Sequence, residues 1–353
     1  MRYFLFFCAS IITFNGHAIS TESVPCWFNN PVTDYHLGFI GVANAFSIKP
    51  LGSLKASRKR AVDKLIQHYQ FDVSTDDIVD ITAEHVTLSN NKKITFSKPH
   101  VNSQGMYSYV LLDQSESKQP QQSISHWLSQ QCSNSHCNFS VCDPAWLCES
   151  TNSSISSVSQ MTANPAQQLD KTYENAQELM QYISKSHVDD VTYRVKSTGE
   201  LQDWHLTQHN SKVEALGDRI QLLNTHSCSA KNYLFARYTY PNINKVTFKP
   251  YNQWLSEPNT KSRTGVVGMF NGIMADGRFS SAVKFAIKDG LIELAKVKEI
   301  TIDNEYKLKY NNGWYSLSKT LESTSTSISA QLMDLKVVEK NDMLIIHAWL
   351  LEN

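Results

Sequence analysis

The sequence lacks any excess of charge. Its 33 basic and 33 acidic residues cancel to a formal net charge of zero, so nothing in it draws the chain electrostatically to nucleic acid or to an acidic membrane surface. It also lacks the usual catalytic signatures. There is no Gly-x-Ser-x-Gly nucleophile elbow and no His-Glu-x-x-His metal helix. Gly38-x-x-Gly41 offers glycines, but no helix opens directly on them, as a phosphate-cradling loop requires. The alternative is that these glycines permit close packing or a bulge in a strand. Beyond the first residues no apolar run is long enough to span a bilayer. These absences exclude the obvious enzyme classes, imply no catalytic residue, cofactor or resident metal, and predict a protein that is not membrane-spanning.

What is present begins with a leader. Arg2 precedes an apolar run from Tyr3 to Phe14, and Gly16-His-Ala18 places small residues at −3 and −1. Residues 1–18 therefore read as a secretory signal peptide, which predicts an exported protein, periplasmic or associated with the outer membrane. The six cysteines beyond the leader are Cys26, Cys132, Cys137, Cys142, Cys148 and Cys228. An even number in an exported chain favours disulfides, with the pairing left open among 15 connectivities for six cysteines. The clustered four, with His136 among them, raise a zinc alternative. Their gaps of four, four and five residues do not match the close pairs of zinc knuckles.

One spaced motif occurs twice. Trp27, Pro31, Gly38, Gly41 and Asn44 are matched by Trp254, Pro258, Gly265, Gly268 and Asn271, each 227 positions on. Self-similarity at a fixed long offset signals duplicated units. A divergent third copy is headed by Asp143-Pro-Ala-Trp146, with Ser157 and Gln160 where the others have glycine. After each Trp comes an amphipathic stripe: Leu54, Ala61, Leu65, Ile66 and Tyr69; then Leu169, Tyr173, Ala176, Met180 and Ile183; then Phe279, Val283, Ala286, Ile287, Leu291 and Leu294. In the first stripe Lys55, Arg58, Lys59, Arg60 and Lys64 form the expected wet face. Strand-forming segments close each unit at Met106–Leu112, Tyr233–Tyr240 and Met343–Leu351. More extended stretches precede them at 81–88, 191–195, 300–310 and 330–338, with Asn341-Asp342 as a tight turn.

The fold class predicted is α+β: tandem repeats of a small unit in which one amphipathic helix packs on a mostly antiparallel sheet. The domains read as a first unit at 19–113, a Ser/Gln/Cys-rich linker at 114–142, a divergent middle unit at 143–243 and a last unit at 244–353.

The Trp, Pro and Gly elements, the helix, and the late segments Glu322–Ala330, Leu335–Glu339 and Met343–Trp349 together resemble the bacterial lipoprotein-20 family. That family includes envelope lipoproteins and the flagellar protein P type, found with outer-membrane structures around the flagellar motor. The resemblance implies a non-enzymatic envelope scaffold or assembly component, with other envelope or motor proteins, or further copies of itself, as partners. The family's lipid-attachment cysteine has no credible counterpart here. A second expectation is peptidoglycan or glycan binding. The segment Leu54–Leu65 faintly resembles the helix of OmpA-like domains, where Arg58 or Arg60 would clamp a carboxylate. His205 and His209, four apart beside Trp204, fit a helical metal pair in spacing, but surface or core histidines are the commoner reading; His226 stands apart from them.

Overall fold

The computed structural model describes residues 23–33, 36–102, 105–113, 122–138, 143–147, 154–159, 167–199, 203–230, 233–240, 249–273, 279–310, 314–340 and 343–353. The leader, Cys142, Cys148, Gln160 and the Asn341-Asp342 turn lie outside them.

The first unit runs β1 (Ser23–Pro25), α1 (Cys26–Asn29), β2 (Gly38–Ala43), α2 (Gly52–Tyr69), β3 (His85–Thr87), β4 (Lys93–Phe96), β5 (His100–Val101) and β6 (Met106–Leu112). Of the expected strand at 81–88 only its end is extended. β6 lies between β2 and β4, and every pairing in this sheet is antiparallel. The segment expected as a polar linker contains α3 (Gln122–Ser129) and β7 (Gln131–Ser133). Both fold back onto the first unit: β7 pairs with β1, and Trp127 stacks on His36 and packs into the core with Tyr109. An amphipathic turn carrying Ile124, Trp127 and Leu128 accounts for this, because its apolar side needs a surface to cover.

The middle unit comprises a single 3₁₀ turn at Ala145–Leu147, β8 (Ser154–Val158), α4 (Gln168–Ser184), β9 (Ser186–Gly199), β10 (Trp204–Ala215), β11 (Leu223–Ala230) and β12 (Tyr233–Thr239). The last unit comprises α5 (Tyr251–Ser256), β13 (Gly265–Ile273), α6 (Phe279–Lys298), β14 (Thr301–Tyr310), β15 (Trp314–Ile328), β16 (Ala330–Lys340) and β17 (Met343–Glu352). In both, as in the first, the closing strand sits centrally: β12 between β11 and β8, β17 between β13 and β16. The chain is thus a mixed α and β protein of several antiparallel sheets, with helices α2, α4 and α6 packed on them.

The spaced motif residues occupy corresponding contacts at the two ends. Trp27 stacks on Tyr109 at 5.3 Å between ring centroids, and Trp254 on Trp349 at 5.9 Å. Tyr109 pairs with Ile40 in the β2–β6 ladder, and Trp349 with Val267 in the β13–β17 ladder. The Tyr109 hydroxyl donates to the Pro31 carbonyl at 2.9 Å, and the Trp349 indole donates to the Pro258 carbonyl at 2.8 Å. Burial pushes the Tyr109 phenol far up, so it stays a neutral donor. One difference is that the Trp254 indole donates to buried Asp334 at 2.8 Å, whereas that of Trp27 has no acceptor among the described residues. In the middle unit Ser159 hydrogen-bonds with Leu234, Trp146 packs on His226 in place of a stacked partner on the closing strand, and the closing-strand aromatic Tyr238 packs edge-on against Tyr173.

Gly41 and Gly268 serve close packing, not a bulge. A Cβ on Gly41 would lie 2.0 Å from the Ser57 carbonyl oxygen and 2.4 Å from the Ala61 nitrogen, both backbone atoms of α2. On Gly268 it would lie 2.0 Å from the Ala286 oxygen and 2.4 Å from the Gly290 nitrogen in α6. Gly38 makes room for the Tyr109 ring, and Gly265 for the Pro258 carbonyl. Asn44 and Asn271 are exposed at the solvent side of these strands.

Two disulfides tie the first and middle units. Cys26 bonds to Cys132 and Cys137 to Cys228, so the strap from 132 to 137 is fastened at one end to each. Two of the four clustered cysteines are therefore committed to sulfur, not to zinc. Paired cysteines fit an oxidising compartment.

Two outcomes follow. Gly41→Ala and Gly268→Ala should each destabilise the protein by about 1–3 kcal/mol or more in chemical denaturation, because backbone cannot step aside. Gly52→Ala, whose obstacle is the rotatable Ser47 hydroxyl, should stay within about 0.5 kcal/mol. Replacing both cysteines of either bridge by alanine should lower stability by about 4–5 kcal/mol, as expected for closing loops of this length (sequence separations 106 and 91).

Candidate interaction surface

After α4 and again after α6 the chain makes a long hairpin, β9–β10 and β14–β15. The two hairpins pair with each other: β9 runs antiparallel to β15 from Ser186↔Ile328 to Gly199↔Tyr315. The result is one four-stranded sheet in the order β10-β9-β15-β14. The sequence reading found the cores of β9 and β14 but not β10 or β15. Their Ser, Thr, Asn and His content masks the alternation, and their pairing partners are distant in sequence. The signal that was available is the alternating Thr and Ser of Glu322–Ala330.

The base of this sheet is anchored by charge. Asp190 on β9 is almost fully buried, with His209 of β10 and Lys296 of α6 each 3.3 Å from its carboxylate. Burial works against the Lys296 ammonium, but Glu293 and Asp190 outweigh it and its pKa is raised. Across the seam the Arg194 guanidinium donates to Glu322 at 2.6 Å, and the Ser325 hydroxyl to Asp189 at 2.6 Å. His209 also bonds the Thr192 hydroxyl at 2.9 Å. His205 and His209 thus lie on a strand, four residues or about 13 Å apart along it, and do not form the helical metal pair their spacing allowed. No group of three or more metal-ligating side chains occurs among the described residues.

Beyond the base the outer strands of the sheet are exposed. All of β10 except Val213 is exposed, and so are the described residues of β14 from Thr301 to Leu308. Register places Ile302, Tyr306 and Leu308 on one face, 53%, 66% and 44% exposed. Trp204 and Leu206, 47% and 50% exposed, share the other face with Val191 and Leu321. Strands β10 and β14 have no outer neighbour among the described residues. Each therefore offers a row of backbone donors and acceptors flanked by apolar side chains, which is a template for strand addition.

The wet face expected on α2 is only partly wet. Arg58 is buried over the Phe96 ring at 4.4 Å and donates to the Ile81 and Ala83 carbonyls at 3.0 and 2.7 Å. Its guanidinium closes the irregular 81–84 segment, which explains why that stretch is not a strand, and it is spent on backbone instead of a carboxylate ligand. Arg60 donates to the Val42 carbonyl. Lys64 reaches Ile40 and pairs with Asp170 of α4 at 2.9 Å. That ion pair and the Gln221 to His68 contact cross a cleft of about 640 Å³ between the first and middle units. His226 bonds Thr225 and packs on Trp146, a structural role.

No protein-family model matches the chain, and no curated protein or solved structure resembles it closely enough to count as a match. No helix among the described residues is long and apolar enough to cross a membrane.

Asp289 of α6, near this base, accepts from the Met269 amide at 2.8 Å. Burial raises its pKa, against the lowering effect of that bond. A raised folded-state value means the native state prefers the protonated form. This contribution is full below the unfolded carboxylate pKa and is lost as pH rises through the folded value. Asp289→Asn should therefore melt higher than the parent protein at neutral pH, with the gap closing on acidification in a thermal series from pH 7 to pH 3.

Proposed function

We propose that this protein is a non-enzymatic, exported envelope protein that works as a scaffold or assembly component, holding its partners by strand addition to the free edges of the hairpin sheet. The observation that carries this reading is the pair of exposed edges β10 and β14, each backed by half-exposed apolar side chains. Monomeric proteins ordinarily blunt or cover such edges. The anchored base argues in the same direction. A sheet held by buried charge and by two helices is a rigid presenter, not a loop that folds away.

The corresponding contacts at Trp27 and Trp254, at Pro31 and Pro258, and at Gly41 and Gly268 support the further reading that 19–113 and 244–353 are copies of one unit, with the middle a diverged relative. The two disulfides support an oxidising compartment. The resemblance to the lipoprotein-20 family supports an envelope setting for the scaffold, at the outer-membrane rings of the flagellar basal body. Deletion of the gene, scored for swimming and for basal rings, tests that setting.

The edge reading is tested on the mature protein. Leu206→Asp with Leu308→Asp places a carboxylate on each edge. Both sites are half exposed, so the fold should keep its stability to within about 0.5 kcal/mol. Association with envelope partners or with itself, measured by sedimentation and by co-purification, should weaken by about tenfold or more for each edge, because a carboxylate buried at a joint costs more than about 1.4 kcal/mol. Undiminished association would overturn the reading.

A further inference from the structure

Resting on the reading that the free edges are joints, we infer that the occupant of each edge is a second copy of this chain. Strand β14 of one copy pairs antiparallel with β10 of the next and continues the sheet head to tail. The template is the seam already inside the molecule. There, the first strand of one hairpin (β9) pairs with the second strand of the other (β15). The two strands left over are the first strand of the last hairpin, β14, and the second strand of the middle hairpin, β10. Joined between copies, they make the same kind of joint with the same strand polarity: first strands all run one way, second strands the other. A head-to-tail contact of this kind is not self-limiting. It closes into a ring or extends as a filament, according to the rotation per step.

Register follows from the faces. In a continuous sheet, residues directly opposite must lie on one face. Asn304 and Tyr306 share a face with Thr207 and His209, while Asp303 and Glu305 share the other with Gln208 and Lys212. Setting Asp303 opposite Lys212 satisfies this rule. It staggers the two hairpins to within one residue of the seam's own stagger. Tyr306 then meets His209, Leu308 meets Thr207, Glu305 lies diagonal to Lys212, and no like charges stand directly opposite. Cross-strand opposite charges favour a register and like charges penalise it, and the internal seam carries a pair of this sort in Arg194 and Glu322. Lys212 already has Glu214 beside it at 2.5 Å, at an exposed position where it is free to turn. A two-fold pairing of β14 with itself also brings opposite charges together, but it leaves both β10 edges bare. The head-to-tail joint covers both edges at once.

The test uses the mature protein with Asp303→Cys and Lys212→Cys, made singly and together, under mild oxidation on non-reducing gels with the parent protein as background. The expected result is a dimer in an equimolar mixture of the two single variants, none above background in either alone, and a ladder from the double variant. Mass spectrometry should find the bond between positions 303 and 212. Dimer from a Tyr306→Cys variant alone, the position that faces its own copy when Glu305 meets Lys307, would show the two-fold pairing and overturn the inference. An unlinked mixture would overturn it as well. In that case Leu206→Asp with Leu308→Asp separates the two readings: if those changes still abolish capture of a different envelope protein, the edges are joints for that protein, and if they change nothing, the edge reading fails with it.

Discussion

The antiparallel seam between β9 and β15 joins the middle and last units into one sheet. Without it the middle and last units would each carry a hairpin standing alone in water, and an isolated two-stranded ribbon is marginal. With it, α4 and α6 pack into a shared core that runs from Trp146 to Leu350. The seam also fixes where the charges go. Asp190 tolerates burial because the paired strands bring His209 to it from one side and α6 brings Lys296 from another. A buried carboxylate with such partners stays in place, whereas removing one partner leaves an uncompensated charge. The projection of the free strands is set by the same contact.

At both chain ends a different constraint operates, and it explains why the same few residue types recur there. The turn that carries Trp27 or Trp254 leaves a proline carbonyl pointing inward. A buried carbonyl needs a donor, and the aromatic residue on the closing strand both covers the Trp ring and supplies that donor. Tyr109 does so with a hydroxyl and Trp349 with an indole N–H. Residue identity changes while geometry and register hold. Gly41 and Gly268 are fixed by the approach of helix backbone, which leaves no room for a side chain. In the middle unit Trp146 does not stack on the closing strand and Ser157 stands in place of the glycine; its core leans instead on Tyr238, buried, bonded to Thr172 and packed edge-on against Tyr173.

This division explains how much was legible in the sequence. The helices α2, α4 and α6 and the strands β6, β12 and β17 follow from local periodicity, and the residue-specific contacts of Trp27, Gly41, Trp254 and Gly268 follow from identities at fixed offsets. The hairpin sheet was half hidden, because which strand pairs with which is decided by partners more than a hundred residues away. Two expectations differ from the structure, each for its own physical reason. Arg58 looked wet because charge is assigned outward by default, yet it seals a turn. His205 and His209, whose spacing a helix would have made a metal pair, stand on an exposed strand, in line with the surface or core histidines that are the commoner reading. Residues 122–133 looked like linker because an eight-residue helix and a three-residue strand carry little periodic signal. The edge strands, which carry the functional reading, contain no catalytic or ligand-binding motif to find; their meaning lies in having no outer neighbour among the described residues.

The strap of six residues from Cys132 to Cys137 gives the chain an unusual covalent connectivity. Followed through its disulfides, the route from Cys26 to Cys228 passes through those six residues and bypasses 27–131 and 138–227. Each of these two stretches hangs from the route as a closed side loop, while strand β12, beyond Cys228, stays in line with it. A pull applied across the molecule is therefore borne by sulfur–sulfur bonds and a strap whose full stretch is about 20 Å, while helix α2 and the sheet around β6 feel little of the load. The first unit can fluctuate or even unfold locally without lengthening the molecule, so under tension the span between the two anchor cysteines behaves as a tether of fixed length.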